Sequence, residues 1–169
     1  MAVLLAAGGA QCAGAALPEA QQQWQLQGES DFRWWGFPVY RARLWTAPGF
    51  RAETFLRHEF ALELEYRRDF LASEIARRSI DEMRRAGSFT ADDARRWEDA
   101  LTRVLPNVRT GDRIKGFHQP GVGAKFTVND KATGEIADAR FSALFFSIWL
   151  ASTTSEPQLR AALLGKGAP

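Results

Sequence analysis

The sequence predicts an α+β domain in which helices cover an antiparallel sheet. Three observations carry this reading. Strand-like alternation runs to about residue 66, two stretches of helical period follow, and the pattern then repeats as short strands and two further helices. The connections between the later strands are short and rich in Pro and Gly, as hairpins require.

The elements follow in order. Residues 24–28 (WQLQG) alternate and read as a first strand. Residues 32–45 (FRWWGFPVYRARLW) read as a second, on aromatic and β-branched content. Phe32, Trp34, Tyr40, Ala42 and Leu44 would share one face; Arg33, Trp35, Phe37, Arg41 and Arg43 would share the other. Pro38 marks an edge or a bulge, and residues 47–49 (APG) a turn. Residues 60–66 (FALELEY) alternate cleanly, as a half-buried strand does, with residues 55–59 extending it or forming a neighbour.

A helix follows, capped by Ser73, running to about Arg85 and stopped at Gly87, with Ala76, Ile80 and Met83 on one stripe. The next starts at Thr90, with Asp93 in the reciprocal capping position and Ala94, Trp97, Leu101 and Val104 at helical spacing. Residues 113–118 and 125–129 flank a Pro/Gly turn and form a hairpin, with a short strand at 135–136. Residues 138–150 are apolar around most of the helical circumference, which predicts a buried helix. A last helix begins near Pro157 and turns Leu159, Ala162 and Leu163 inward.

The chain has 169 residues, 46% of them apolar, 12% aromatic and 25% charged, which is a globular composition. One domain of this size buries roughly 68–70% of the surface its unfolded chain exposes, so it needs no disulfide or metal staple. Cys12 is the only cysteine, so no intramolecular disulfide and no Cys-based zinc site can form. His58 and His118 have no metal-ligand spacing, and neither a metal nor a cofactor is expected. A net charge of +2, with the arginines of residues 67–85 interleaved with acids, describes a solvated helix face rather than a nucleic-acid surface. Residues 1–20 are apolar and small, with Ala13-Gly14-Ala15 as a cleavage-like site. They read as an export signal without its basic start, or else as a flexible Ala/Gly-rich tail. The export reading implies a periplasmic or secreted protein. Beyond residue 20 no stretch is long and apolar enough for a transmembrane helix.

The ordered set VYRARLW (39–45), LEYRRDFLASEIARRSIDEM (64–83), RWEDAL (96–101) and FFSIWLASTTSEPQLRAALLG (145–165) resembles the chalcone isomerase-like proteins of bacteria over residues 22–165. The resemblance implies an open-faced β-sandwich with a ligand cleft between sheet and helices. It also implies one of two functional types: cyclisation of a chalcone to a flavanone, or binding of fatty acids without known catalysis.

Cyclisation needs a cation for the phenolate and donors where charge develops on the ketone. The plant enzymes take the cation from an arginine on the strand before the aromatic one. Here that strand reads QQQWQLQGES and has none. The family's strand hydroxyl falls on Trp35, its helix amide near Arg78, and its last hydroxyl on Ser147. Arg33 and the arginines after Tyr66 are the candidate substitutes, since a guanidinium in an apolar cleft binds a carboxylate bidentately. The alternative for Arg33, Arg41 and Arg43 is a solvent-exposed strand face, and for Ser147 a small residue packed within a buried helix. The candidate ligand-binding residues are therefore Arg33, Trp35, Tyr66, Arg78 and Ser147. The expected partner is a small apolar or anionic, lipid-like molecule. An isomerase and a ligand-free assembly factor are the rival readings.

Overall fold

The computed structural model describes residues 23–166. Six strands form one antiparallel meander in chain order: β1 (Gln25–Trp34), β2 (Phe37–Thr46), β3 (Phe60–Tyr66), β4 (Arg113–Gln119), β5 (Gly123–Val128) and β6 (Lys131–Ile136). Helices α1 (Ala72–Ala86) and α2 (Ala91–Val104) are inserted between β3 and β4. Helices α3 (Ala139–Leu150) and α4 (Pro157–Leu163) follow β6. All four lie on one face of the sheet, giving the α+β, open-faced architecture.

The alternation of β3 decides which face is covered. Phe60, Leu62, Leu64 and Tyr66 point into the helical layer and are buried. The apolar helix α3 crosses the middle of the sheet over Gly116, where an added Cβ would stand 3.2 Å from the Phe146 ring. Phe146 meets Phe60 edge-on at 5.1 Å. At the β1 edge α4 approaches so closely that a Cβ on Gly28 would lie 2.1 Å from the Ala162 carbonyl oxygen.

The helix-free face is a lattice of charge. Glu29, Arg43, Glu63 and Lys115 form one cross-strand rank; Asp31, Arg41, Glu65 and Arg113 form the next. Arg43 reaches Glu29, Glu63 and Glu65 at 3.0–3.1 Å, and Lys115 closes on Glu63 at 3.0 Å. Burial works against ionisation of the Glu63 carboxyl, but hydrogen bonds and charge from Lys115 and Arg43 outweigh it and hold the group below its ordinary range. Arg41 and Arg43 thus sit on an outward strand face.

The helix caps explain the boundaries. Thr90 Oγ1 accepts from the Asp93 amide at 3.0 Å while the Asp93 carboxylate accepts from the Thr90 amide at 3.2 Å. Asp138 caps α3 by accepting from the Phe141 amide, and also accepts from Trp97 Nε1, both at 2.9 Å. The start of α1 differs from expectation: Ser73 lies inside the helix and Leu71 is at the cap position. There the Glu74 carboxylate accepts from the Leu71 amide, and Asn107 Oδ1 accepts from the Ala72 amide, both at 2.9 Å.

Two further readings are corrected. Residues 55–59 continue no strand; Ala52–Arg57 is a 3-10 helix whose Phe55 is buried. Residues 32–45 are not one strand. Trp35 and Gly36 form a two-residue hairpin loop with φ of 50° and 80°, so β1 ends at Trp34 and β2 begins at Phe37. The register shift falls beside Pro38, where β2 has no amide to donate. The leader, residues 1–20, lies outside the described residues. No helix among the described residues is long and apolar enough to cross a membrane.

Candidate functional site

A cavity of about 370 Å³ lies between the sheet and the helices. Its sheet side is made by Phe32, Tyr40, Leu64, Tyr66 and Ile114. Its helical side comes from Ile75 and Ser79 of α1, Phe145, Ile148 and Trp149 of α3, and Leu159 of α4. No single element builds it: β1 to β4 and three helices all contribute side chains. Most of the lining surface is apolar, and the charged side chains of Arg68, Glu74, Arg77, Arg78, Glu82 and Glu156 also border it.

Two tyrosines supply the inner polar groups. Tyr40 and Tyr66 are a cross-strand pair whose rings meet edge-on at 6.0 Å, and Phe32 stacks on Tyr40 at 5.0 Å. Tyr40 Oη accepts from Trp149 Nε1 at 3.1 Å, which ties the sheet to α3 across the cavity. Tyr66 is 4% exposed. Its hydroxyl has no protein partner among the described residues, yet it is not sealed in the packing as Trp45 Nε1 is. It therefore opens onto the cavity. Burial pushes both phenols well above their ordinary value, so both remain protonated at neutral pH.

Charged groups stand at the rim. Glu82 on α1, largely buried, is held by Arg78 at 2.8 Å, Arg85 at 3.2 Å and the Ser155 hydroxyl at 2.9 Å. The Arg78 guanidinium also lies 5.4 Å from the Trp34 ring. Arg68 lies 5.6 Å from the Phe70 ring. Arg68 and Arg77 enter no ion pair among the described residues, but the carboxylates Glu74 and Glu156 border the cavity with them, so the rim carries both signs. Such a site can accept an amphiphile, with a carbon chain in the apolar body and an anionic or polar head at the rim. Glu82 is already committed to three donors and offers no free base.

Of the residues selected from sequence, Tyr66 and Arg78 border this cavity. The other three do not. Arg33 follows Phe32 and so points to the opposite face, where its guanidinium donates to the Gly36 carbonyl at 3.2 Å. Trp35 is the hairpin loop itself and is 84% exposed. Ser147 is buried on the far side of α3 and its hydroxyl donates to the Ala143 carbonyl at 2.7 Å. Missed were Trp34, Tyr40, Glu82 and Trp149. Two signals pointed to them: Trp34 and Tyr40 share the even face with Phe32, and Glu82 stands four residues after Arg78. His118 is a core residue, with its ring nitrogens 2.7 Å from Ser142 Oγ and 3.1 Å from the Leu56 carbonyl. Among the described residues no group of three or more His, Cys, Asp or Glu side chains gathers as a metal site would require.

Three comparisons bear on this geometry. A protein of Haemophilus influenzae, itself uncharacterized, is 26% identical over 143 residues, covering 85% of this chain and 69% of that one. The crystal structure of an Arabidopsis thaliana fatty-acid binding protein superposes with a TM-score of 0.65 at 11% identity, covering 89% of this chain and 90% of that one. That likeness is one of fold: the same open sheet under the same helical layer. The family model described as chalcone isomerase-like matches residues 9–165, nearly the whole of the chain. With sheet order, helical layer and sequence match in agreement, the chain belongs to the chalcone isomerase-like family.

Proposed function

We propose that the protein is a non-catalytic binding protein that holds a small apolar or fatty-acid-like molecule in the cavity between sheet and helices. One observation carries this reading: a mainly apolar cavity of about 370 Å³, bordered by the Tyr66 side chain and by Arg68 and Arg77, which enter no ion pair among the described residues. The volume lies at the lower end of the roughly 300–1,000 Å³ usual for small-molecule sites. Each methylene buried there contributes about 0.8 kcal/mol, so affinity should rise with chain length until the cavity is full. The Arabidopsis fatty-acid binding protein shares the fold, which supports a lipid-like ligand without naming one.

The chemistry argues against catalysis. A chalcone-type cyclisation needs a cation placed to hold a phenolate inside the cleft. Arg33, the only arginine on β1, points to the other face, Arg78 is paired with Glu82, and Arg68 and Arg77 come from the segment after β3 and from α1, not from the strand that supplies the cation in the plant enzymes. An assembly factor without a ligand would have no use for an open cavity. The apolar leader favours action outside the cytoplasm, and cell fractionation of the tagged full chain tests that part.

Native mass spectrometry of the purified protein, followed by lipid extraction and a thermal-shift series with saturated fatty acids, tests the binding. Co-purified lipid and a shift that grows with chain length are expected. A cavity empty of lipid, no shift with any fatty acid, and measurable flavanone formation from a chalcone would overturn the reading.

A further inference from the structure

The far end of the first hairpin is unlike the rest of the surface. The last pair between β2 and β3 is Tyr40 with Tyr66, yet β1 and β2 go on pairing past it as Arg33 with Pro38 and Trp34 with Phe37. Residues 33–38 are thus a two-stranded ribbon with no third strand beside it among the described residues. Nothing in the fold asks for large rings there. Even so, Trp34 is 49% exposed, Phe37 67% and Trp35 84%. Trp35 also occupies the first position of its loop at positive φ, where Asn or Gly is at ease and a bulky side chain is not. The rings give the core no packing and the turn no advantage.

Arginines cluster at this end, Arg33 on the hairpin and Arg68 and Arg77 beside the cavity mouth. Arg33 is held over the loop by its bond to the Gly36 carbonyl. Arg68 and Arg77, with no ion pair among the described residues, stand at the cavity rim with Trp34. Asp31 is paired with Arg41 at 2.9 Å and Glu82 with Arg78 and Arg85, while Glu74 and Glu156 border the cavity without an ion pair among the described residues. Exposed indole and phenyl rings beside unpaired guanidinium groups match the headgroup layer of a bilayer, where aromatic rings settle and arginines meet lipid phosphates. A protein partner is a poorer fit. A six-residue convex ribbon offers far less than the roughly 800 Å² per partner of a standard interface. A fluid surface needs no complementary shape.

We propose that the β1–β2 hairpin tip docks the protein on an anionic lipid bilayer. Trp35 and Phe37 enter the headgroup layer, Arg33, Arg68 and Arg77 face its phosphates, and the mouth of the cavity, which Trp34 shares with the tip, is held at the lipid surface. The docking does not depend on what the cavity carries, so vesicle binding and ligand content are separate readouts.

The test is flotation of the full chain with vesicles of phosphatidylcholine containing phosphatidylglycerol, against phosphatidylcholine alone. The double variant Trp35→Asn with Phe37→Thr removes both rings while suiting the turn and the strand. Binding is expected to the anionic vesicles and to fall about tenfold or more in the double variant. It should fall about fivefold in Arg33→Gln, and decline as salt is raised. Circular dichroism and extracted lipid should match the parent, because Trp35, Phe37 and Arg33 do not border the cavity. Absence of binding, equal binding to neutral vesicles, or binding that survives the double variant would overturn the proposal. So would a concentration-dependent dimer that the double variant abolishes, without vesicle binding, since it would assign the rings to a second copy of the chain.

Discussion

The contact between Gly28 and α4 makes a sharp prediction for Gly28→Ala. The new Cβ would lie 2.1 Å from the Ala162 carbonyl oxygen and 2.6 Å from that of Leu163. Both are backbone atoms and cannot rotate away. Reaching an ordinary contact of 3.4 Å requires strand and helix to separate by about 1.3 Å. Overpacking alone costs about 1–3 kcal/mol. Full release of α4 would expose Leu159, Leu163 and Leu164, all now buried, at about 1.5–3 kcal/mol each. Seven residues cannot sustain a helix without that docking. The expected loss is about 3 kcal/mol, between the two limits. In urea unfolding this appears as a midpoint lowered by roughly 1.5 M. Leu159 and Glu156 border the cavity, so retained lipid should fall as well. A variant within about 0.5 kcal/mol of the parent, with its lipid intact, would refute the claim that α4 is pressed against β1 at this glycine.

Three further outcomes are expected. Tyr66→Phe removes the open hydroxyl and should weaken fatty-acid binding roughly fivefold, about 1 kcal/mol, with little change in stability; unchanged affinity by calorimetry would remove Tyr66 from ligand recognition. Asp138→Ala deletes the α3 cap and leaves Trp97 Nε1 without a partner, for about 2–4 kcal/mol by chemical denaturation, and a loss below about 1 kcal/mol would mean solvent replaces both bonds. Burial holds His118 below its ordinary value of 6.5, so the unfolded chain takes up the proton first. Stability should be complete above that pH and decline as the pH falls from there toward the lower folded value; a flat urea midpoint from about pH 8 to pH 5 would show that the ring charges freely in place.

The sequence carried most of the fold because its signals are local. The period of 60–66, the Thr90/Asp93 box and the mostly apolar 141–150 stretch each need only their own neighbours. The hairpin loop at Trp35 escaped because its residues have strand propensity, and the one conformational signal, Gly36 after a bulky residue, is weak. Trp35 was selected because the family's strand hydroxyl falls on it, yet it does not border the cavity, whereas Trp34, one residue earlier, lines it. Ser147 failed for a related reason. On a helix apolar nearly all round, the pattern cannot say which side meets the cavity and which the core. Tyr66 lies on the clearly alternating face of β3 and Arg78 was placed by the family's helix amide; both border the cavity.

The alternating signs on the helix-free face have a consequence for assembly. β1 presents Glu29 and Asp31, β2 Arg41 and Arg43, β3 Glu63 and Glu65, β4 Arg113 and Lys115. A slip of two residues between neighbouring strands would still set acid against base, so these charges say little about register. What they discriminate is who pairs with whom. β1 beside β3, or β2 beside β4, would place like charges directly opposite each other, which destabilises a sheet. The same rule guards the β1 end of the sheet: β1 of one molecule meeting β1 of another would align two acidic strands. The lattice works as an address written on each strand, selecting the chain-order meander and rejecting edge-to-edge growth.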